Sequence, residues 1–337
     1  MPRSSASDGE RGARSSARSP ASDDAPALTR LLVLVGPTGT GKSDLAIDVA
    51  HRLSGEVIGC DAVQVYQGLD AATAKPSPSR RREICHHLID ECDPRQDFSL
   101  AEFVERAERA IARIEANGHL PIVAGGTGLY LRGLLRGIVT APPRDETLRA
   151  RLCVVAERRG PAFLHRWLGR VDPPTADRLA PGDRQRIVRA LELALGTSRT
   201  WSERLRDEGT WATGTERYRA LKIGLSLERE VLYRALDARV AAFFEAGLVD
   251  EVRGLLAAGV PPQANALKAI GYREVVLAIR DGHDPALSVG AVQRSTRRYA
   301  KRQLTWFRRE PGVVWLDAAD DRARLVERIL ALWQADR

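Results

Sequence analysis

Apolar positions along this chain alternate between short β-prone runs and stretches with the period of a helix. Leu31-Leu-Val-Leu-Val35 is an unbroken apolar run, the pattern of a strand buried on both faces of a parallel sheet. A glycine-rich segment follows, and Leu45, Ile47, Val49 and Leu53 then mark a helix over 44–53. Glu56-Val-Ile-Gly-Cys60 predicts a second buried strand and Pro121-Ile-Val-Ala124 a third. Between them, Ser99 with Glu102 forms a capping box for a helix that runs to Asn117 and is closed by Gly118.

From 145 to 208 the pattern predicts helices alone, over 145–159, 161–170, 174–180, 183–195 and 198–208, punctuated by Pro and Gly. Leu221, Ile223 and Leu225 alternate with polar or small residues and mark a return to the sheet. Helices follow around 228–258 and 264–281, and Val313-Val-Trp-Leu316 reads as a last strand before a closing helix.

The glycine-rich segment is Gly36-Pro37-Thr38-Gly39-Thr40-Gly41-Lys42-Ser43, which satisfies G-x-x-x-x-G-K-[ST] in the required place between a strand and a helix. Its glycines let successive backbone N–H groups converge on phosphate oxygens, and the helix N-terminus adds its positive dipole. Lys42 supplies a point charge, and the Ser43 hydroxyl can ligate Mg²⁺. A nucleoside triphosphate is the usual guest of this motif, but any diphosphate fits the same cradle. Asp61 ends the second strand, where open α/β sheets place their ligand groups, so it projects near this loop. It could hold Mg²⁺ or act as a general base on a bound acceptor. Gly125-Gly-Thr-Gly128 after the third strand permits close backbone approach to a ligand, with the Thr127 hydroxyl on hand. The fold expected is α/β, a P-loop NTPase-like parallel sheet core over 28–144 and 212–337 with an inserted all-helical domain at 145–211.

At roughly 150 residues per domain, 337 residues fit such a plan. With 44% hydrophobic and 28% charged residues the chain can build a core, which excludes global disorder. No run approaches the roughly 18 apolar residues of a membrane span, so no membrane association is expected. Cys60, Cys85, Cys92 and Cys153 match no zinc spacing and no disulfide scaffold, and read as reduced thiols of a cytoplasmic protein. Residues 1–27 are Ser, Arg, Ala, Asp and Pro with almost no bulky apolar side chain, a disordered tail. Asp8, Glu10, Asp23 and Asp24 argue against a transit peptide.

Charge changes the picture once it is divided. Residues 1–140 carry 17 Lys+Arg against 18 Asp+Glu, whereas residues 141–337 carry 35 against 26. The positive excess therefore sits in the second part, as expected if that part faces a polyanion. Gln293–Glu310 holds seven Lys+Arg and one acid, with Tyr299, Trp306 and Phe307 interleaved. That mixture suits phosphate contact with base stacking, or a solvated helix with a buried aromatic stripe. Only five lysines stand among 47 arginines, a small hint that a lysine here marks a place needing a compact ammonium rather than a planar fork.

In order along the chain stand GPTGTGKS at 36–43, DAVQVYQGLDAATAKP at 61–76, HHLID at 86–90 and FSLAEF at 98–103. GGTGLYLRGLL at 125–135, QRIVRALE at 185–192, KAIGYRE at 268–274 and AKRQLTWFRR at 300–309 follow. Together they resemble the tRNA dimethylallyltransferase family in its bacterial form, without a C-terminal Cys/His finger. The resemblance implies transfer of a dimethylallyl group from dimethylallyl diphosphate to the exocyclic amine of the adenine 3′ of the anticodon. The tRNAs concerned would be those reading codons that begin with U.

Carried over by residue, the loop Gly36, Pro37, Thr38, Gly39, Thr40, Gly41, Lys42 and Ser43 holds the diphosphate, with Mg²⁺ at Ser43. Lys42 neutralises the departing pyrophosphate, Asp61 matches the general base, and Thr127 matches a threonine that touches the acceptor nucleotide. Asp61, Ala62, Val63 and Gln64, with Arg149, fall where the family contacts the tRNA anticodon arm. So do Gln185, Arg186, Ile187, Val188 and Arg189, and Lys268, Ala269, Ile270, Gly271, Tyr272 and Arg273. A monomer is expected. Two positions depart from the family, Ala62 where Ser is usual and Ala72 where Gly is usual. A P-loop kinase, a prenyltransferase acting on free adenylate and a non-catalytic tRNA-binding module are the other readings.

Overall fold

The computed structural model describes residues 28–139, 141–207 and 215–336. The expectations for the tail at 1–27 and for the boundary at 211–212 lie outside them.

The first apolar run is strand β1 (Arg30–Val35), and the P-loop carries it into helix α1 (Lys42–Leu53). Strand β2 (Gly55–Cys60), short helix α2 (Pro78–Glu83) and a two-residue strand β3 (His86–His87) come next. Helix α3 (Leu100–Ala116) opens on the expected capping box, Ser99 Oγ accepting from the Glu102 N–H while Glu102 accepts from Ser99. Strand β4 (Leu120–Gly125) then leads into helix α4 (Gly128–Arg136). All strand pairings are parallel, in the order β3-β2-β4-β1 continued by β5 (Arg219–Ser226) and β6 (Val313–Asp317).

Alternation along β1 sends side chains into two cores. Leu32 and Leu34 face Leu45, Ala46 and Val49 of α1 and the closing helix at Arg322–Ala335. Leu31, Val33 and Val35 face the opposite cluster, with Phe103, Ala107 and Ile111 of α3. A sheet covered on both faces explains why its strands read as unbroken apolar runs. The exception is β5, which alternates in sequence yet lies inside the sheet. Its Lys222 is buried and answered by Glu216 at 2.5 Å.

Helices α5 (Glu146–Arg159), α6 (Pro161–Val171), α7 (Pro173–Ala176) and α8 (Arg184–Gly196) pack around their own cluster of Leu152, Leu164, Leu168, Ile187, Val188 and Leu191, and α9 (Trp201–Asp207) lies against α7 and α8. The long helix expected at 228–258 is two, α10 (Arg229–Glu245) and α11 (Leu248–Ala257). They part at Gly247, whose φ of 91° is left-handed. Gly271 likewise separates a 3-10 turn (Ala266–Lys268) from α12 (Tyr272–Arg280). Helix α13 (Val289–Phe307) carries most of the basic aromatic segment.

Candidate active site

Strand register sets the site. Gly125 of β4 is level with Val35 of β1 on one side and Cys60 of β2 on the other. The next residues, Gly36, Asp61 and Gly126, therefore leave the sheet side by side at its carboxyl edge, where open parallel sheets bind ligands. Close packing here excludes side chains: a Cβ on Gly125 would lie 2.1 Å from the Cys60 carbonyl oxygen. All three loops open into one cavity of about 760 Å³.

Gly39 and Gly41 hold φ of 88° and 75°, the left-handed conformation that turns the loop around a ligand. Helix α1 begins with no side-chain cap, so its first N–H groups are left for a guest. Lys42 Nζ meanwhile donates to the Pro37 carbonyl at 2.6 Å. Burial drives this ammonium from 10.5 down to about 7, with Asp61 opposing the shift and Arg239 adding to it. Ser43 lines the same cavity.

Asp61 Oδ1 accepts from the Val63 N–H at 2.9 Å and the Gln64 N–H at 3.3 Å. Among the described residues Oδ2 receives no donor, and the side chain lines the cavity. Thr127 is tied to the same strand end. Its N–H donates to the Cys60 carbonyl at 3.2 Å, and its Oγ1 accepts from the Ala62 N–H at 3.1 Å. Gln64 Nε2 donates to the Thr73 and Ala74 carbonyls at 3.0 and 3.3 Å, folding the 61–76 loop on itself. Lys75 fastens the same loop. It is held by the Tyr66 carbonyl, Asp70 and Asp90 at 2.7, 2.8 and 2.5 Å.

Distant helices close the cavity with Arg239, Phe243 and Gln303, which sequence reasoning did not single out, and with Tyr299 of the basic aromatic segment. Arg239 and Phe243 of α10 sit one turn apart on its inner face, as do Tyr299 and Gln303 of α13. Burial lowers the Arg239 guanidinium, opposed by Asp61 and Asp44, and burial raises the Tyr299 phenol, which Asp61 raises further. Gln303 is a bridge. Its Oε1 accepts from the Thr38 N–H and its Nε2 donates to the Gly126 carbonyl, each at 2.9 Å. The spacing of four residues between these pairs was the available signal; which face turns inward was not.

The other sequence candidates divide. Lys268, Ala269, Ile270 and Arg273 line the cavity with Ala62, Val63 and Gln64. Tyr272 is fully buried, its hydroxyl donating to Glu251 at 2.6 Å, and Gly271 donates its N–H to Glu274 at 2.9 Å. Arg149 and Arg189 both pair with the buried Glu192, at 3.4 and 2.6 Å. Ile187 and Val188 belong to the core of the helical insertion, while Gln185 and Arg186 are exposed.

A phosphate cradle, a facing carboxylate and a partly apolar cavity at the carboxyl edge of a parallel sheet define a P-loop-fold transferase. The family model described as IPP transferase matches residues 64–310. The chain is 46% identical over 289 residues to the tRNA dimethylallyltransferase of Geobacter metallireducens, spanning 86% of this chain and 93% of that protein. It is 46% identical over 297 residues to the tRNA dimethylallyltransferase of Geobacter sulfurreducens, spanning 88% and 94%. The full-length tRNA isopentenylpyrophosphate transferase of Bacillus halodurans is similar with a TM-score of 0.67 at 34% identity, covering 91% of this chain and 96% of that one. A eukaryotic dimethylallyltransferase captured acting on tRNA gives a TM-score of 0.77 at 26% identity, covering 92% and 80%. This chain belongs to the IPP transferase family.

Proposed function

We propose that the chain transfers a dimethylallyl group from dimethylallyl diphosphate to the exocyclic amine of the adenine 3′ of the anticodon, in tRNAs reading codons that begin with U. One observation carries this reading: the uncapped P-loop and Asp61 open into a single cavity whose wall also includes Phe243, Ile270 and Ala72. A cradle for oxyanions beside an apolar surface and a carboxylate matches a prenyl diphosphate facing an acceptor.

An allylic diphosphate ionises readily, so stabilising its leaving group is the protein's main task. The P-loop amides, Lys42 and Arg239 converge where that charge develops. The hydroxyl of Ser43 is a hard oxygen donor at the head of α1 in this cavity and fits Mg²⁺. When bound, Mg²⁺ supplies further neutralisation of the pyrophosphate oxygens. The adenine amine is a weak nucleophile because its lone pair is drawn into the ring. With Oδ1 held by two backbone N–H groups, Asp61 presents Oδ2 to take the amine proton. Thr127, fixed by the Ala62 amide, positions the acceptor, which leaves its stack to enter the cavity.

The insertion at 145–211 and the basic face of α13 would grip the anticodon arm. No helix among the described residues is long and apolar enough to cross a membrane. A monomeric, cytoplasmic enzyme is the proposed working form. Incubation with labelled dimethylallyl diphosphate and tRNA, AMP or ATP tests the reading. Label is expected on tRNA alone, with pyrophosphate released. Label on AMP, or ATP consumption without a prenyl donor, would overturn it.

A further inference from the structure

We propose that Glu56, Cys85 and His87 form a binding site for a single zinc-class divalent ion at the amino-terminal end of the sheet. This place is distinct from the cavity. Glu56 lies near the start of β2 and Asp61 just past its end, which at about 3.3 Å per residue puts them roughly 16 Å apart.

Parallel pairing of β2 with β3 creates the cluster. Val57 is level with His86 and Ile58 with His87, so the edge strand delivers His87 and the preceding Cys85 beside Glu56. One donor atom from each of the three lies within 4.8 Å of the others. Cys85 Sγ is 3.7 Å from His87 Nε2. A tetrahedral zinc ion, with Zn–S about 2.3 Å and Zn–N about 2.0 Å, separates such a pair by about 3.5 Å. Glu56 Oε2 is 2.7 Å from the same nitrogen, a hydrogen bond that needs to open by roughly half an ångström to admit the ion.

Sulfur, imidazole and carboxylate together select zinc-class ions over Mg²⁺, which takes oxygen. His119 Nδ1 stands 2.7 Å from the other oxygen, Glu56 Oε1, and orients the carboxylate as an outer-shell partner. Glu56 is only 7% exposed while Cys85 is exposed, giving the ion an entry path. Three protein donors leave the fourth position to water. The linear spacing of the cysteines hides the site, because Glu56 and Cys85 meet only through strand pairing.

The full-length chain, reduced and stripped with chelator, is titrated with Co²⁺ as a spectroscopic stand-in for Zn²⁺. We expect one Co²⁺ per chain to give a near-ultraviolet sulfur-to-cobalt band that Zn²⁺ abolishes. Oxygen ligands at the P-loop are silent in that band. Cys85→Ser, a change at an exposed position, should remove the band and weaken Zn²⁺ binding at least tenfold, while circular dichroism and prenyl transfer stay as in the parent. His119→Gln should keep the band and weaken Zn²⁺ about ten- to a hundredfold. A parent protein with no band, or a band that survives in Cys85→Ser, would overturn the proposal while leaving the assignment of prenyl transfer intact.

Discussion

Asp61 ties one of its two oxygens to the backbone and lines the cavity. Oδ1 is saturated by backbone donors, so the carboxylate cannot swing, and Oδ2 keeps one direction. Asp61→Asn preserves that turn and removes the proposed base. Turnover should fall by about 10²–10⁴ with tRNA affinity within a fewfold, and filter binding beside single-turnover kinetics checks it. Lys42 makes a second case. Burial brings its ammonium down to about 7, and a bound diphosphate raises it. Affinity for the diphosphate is therefore complete below pH 7 and declines as pH rises above it, up to tenfold per unit. Calorimetry between pH 7 and 9 should show proton uptake on binding, and a flat profile would deny Lys42 this role. Both residues were legible in the sequence, Lys42 from its motif and Asp61 from its strand end. Tyr272, Ile187 and Val188 look the same in a motif as their neighbours, yet only the fold shows that they face inward.

At the scale of elements, α13 governs the loops at the sheet's edge. Gln303 satisfies a P-loop amide and the Gly126 carbonyl at once, and Trp306 packs so closely that a Cβ on Gly128 would meet its ring at 2.2 Å. Gln303→Leu strands both backbone groups, at a cost of about 1–3 kcal/mol. We expect a lower denaturation midpoint and a raised KM for the prenyl diphosphate, with the KM for tRNA little changed. Wild-type values of both would show the bridge to be idle. Strands β1, β2 and β4 were readable as apolar runs because each is covered on two faces. By contrast β3 is too short for a periodic signal, and the breaks at Gly247 and Gly271 sit inside otherwise continuous apolar patterns. The basic composition of 293–310 was plain, but its inner face, with Tyr299 and Gln303, is fixed only by packing against α10 and by the bonds of Gln303 to the P-loop and Gly126.

For the whole molecule, charge and chemistry occupy different parts of the chain. Residues 141–337 hold the entire positive excess, whereas the cradle and the carboxylate lie before them. If arginines of the insertion hold phosphates, log Kd for tRNA rises linearly with log salt, and Arg186→Ala lowers that slope by about one. Asp61→Asn should leave the slope alone, and a salt-independent Kd would refute the electrostatic grip. Sheet order has a consequence for biosynthesis. Strand β1 sits between β4 and β5, and β5 is encoded after the helical stretch. A nascent chain stalled at 207 thus exposes one whole edge of its central strand, a template for pairing with other chains. A fragment ending there should precipitate on release, and one reaching past Asp317, which supplies β5 and the edge strand β6 that covers it, should resist doing so.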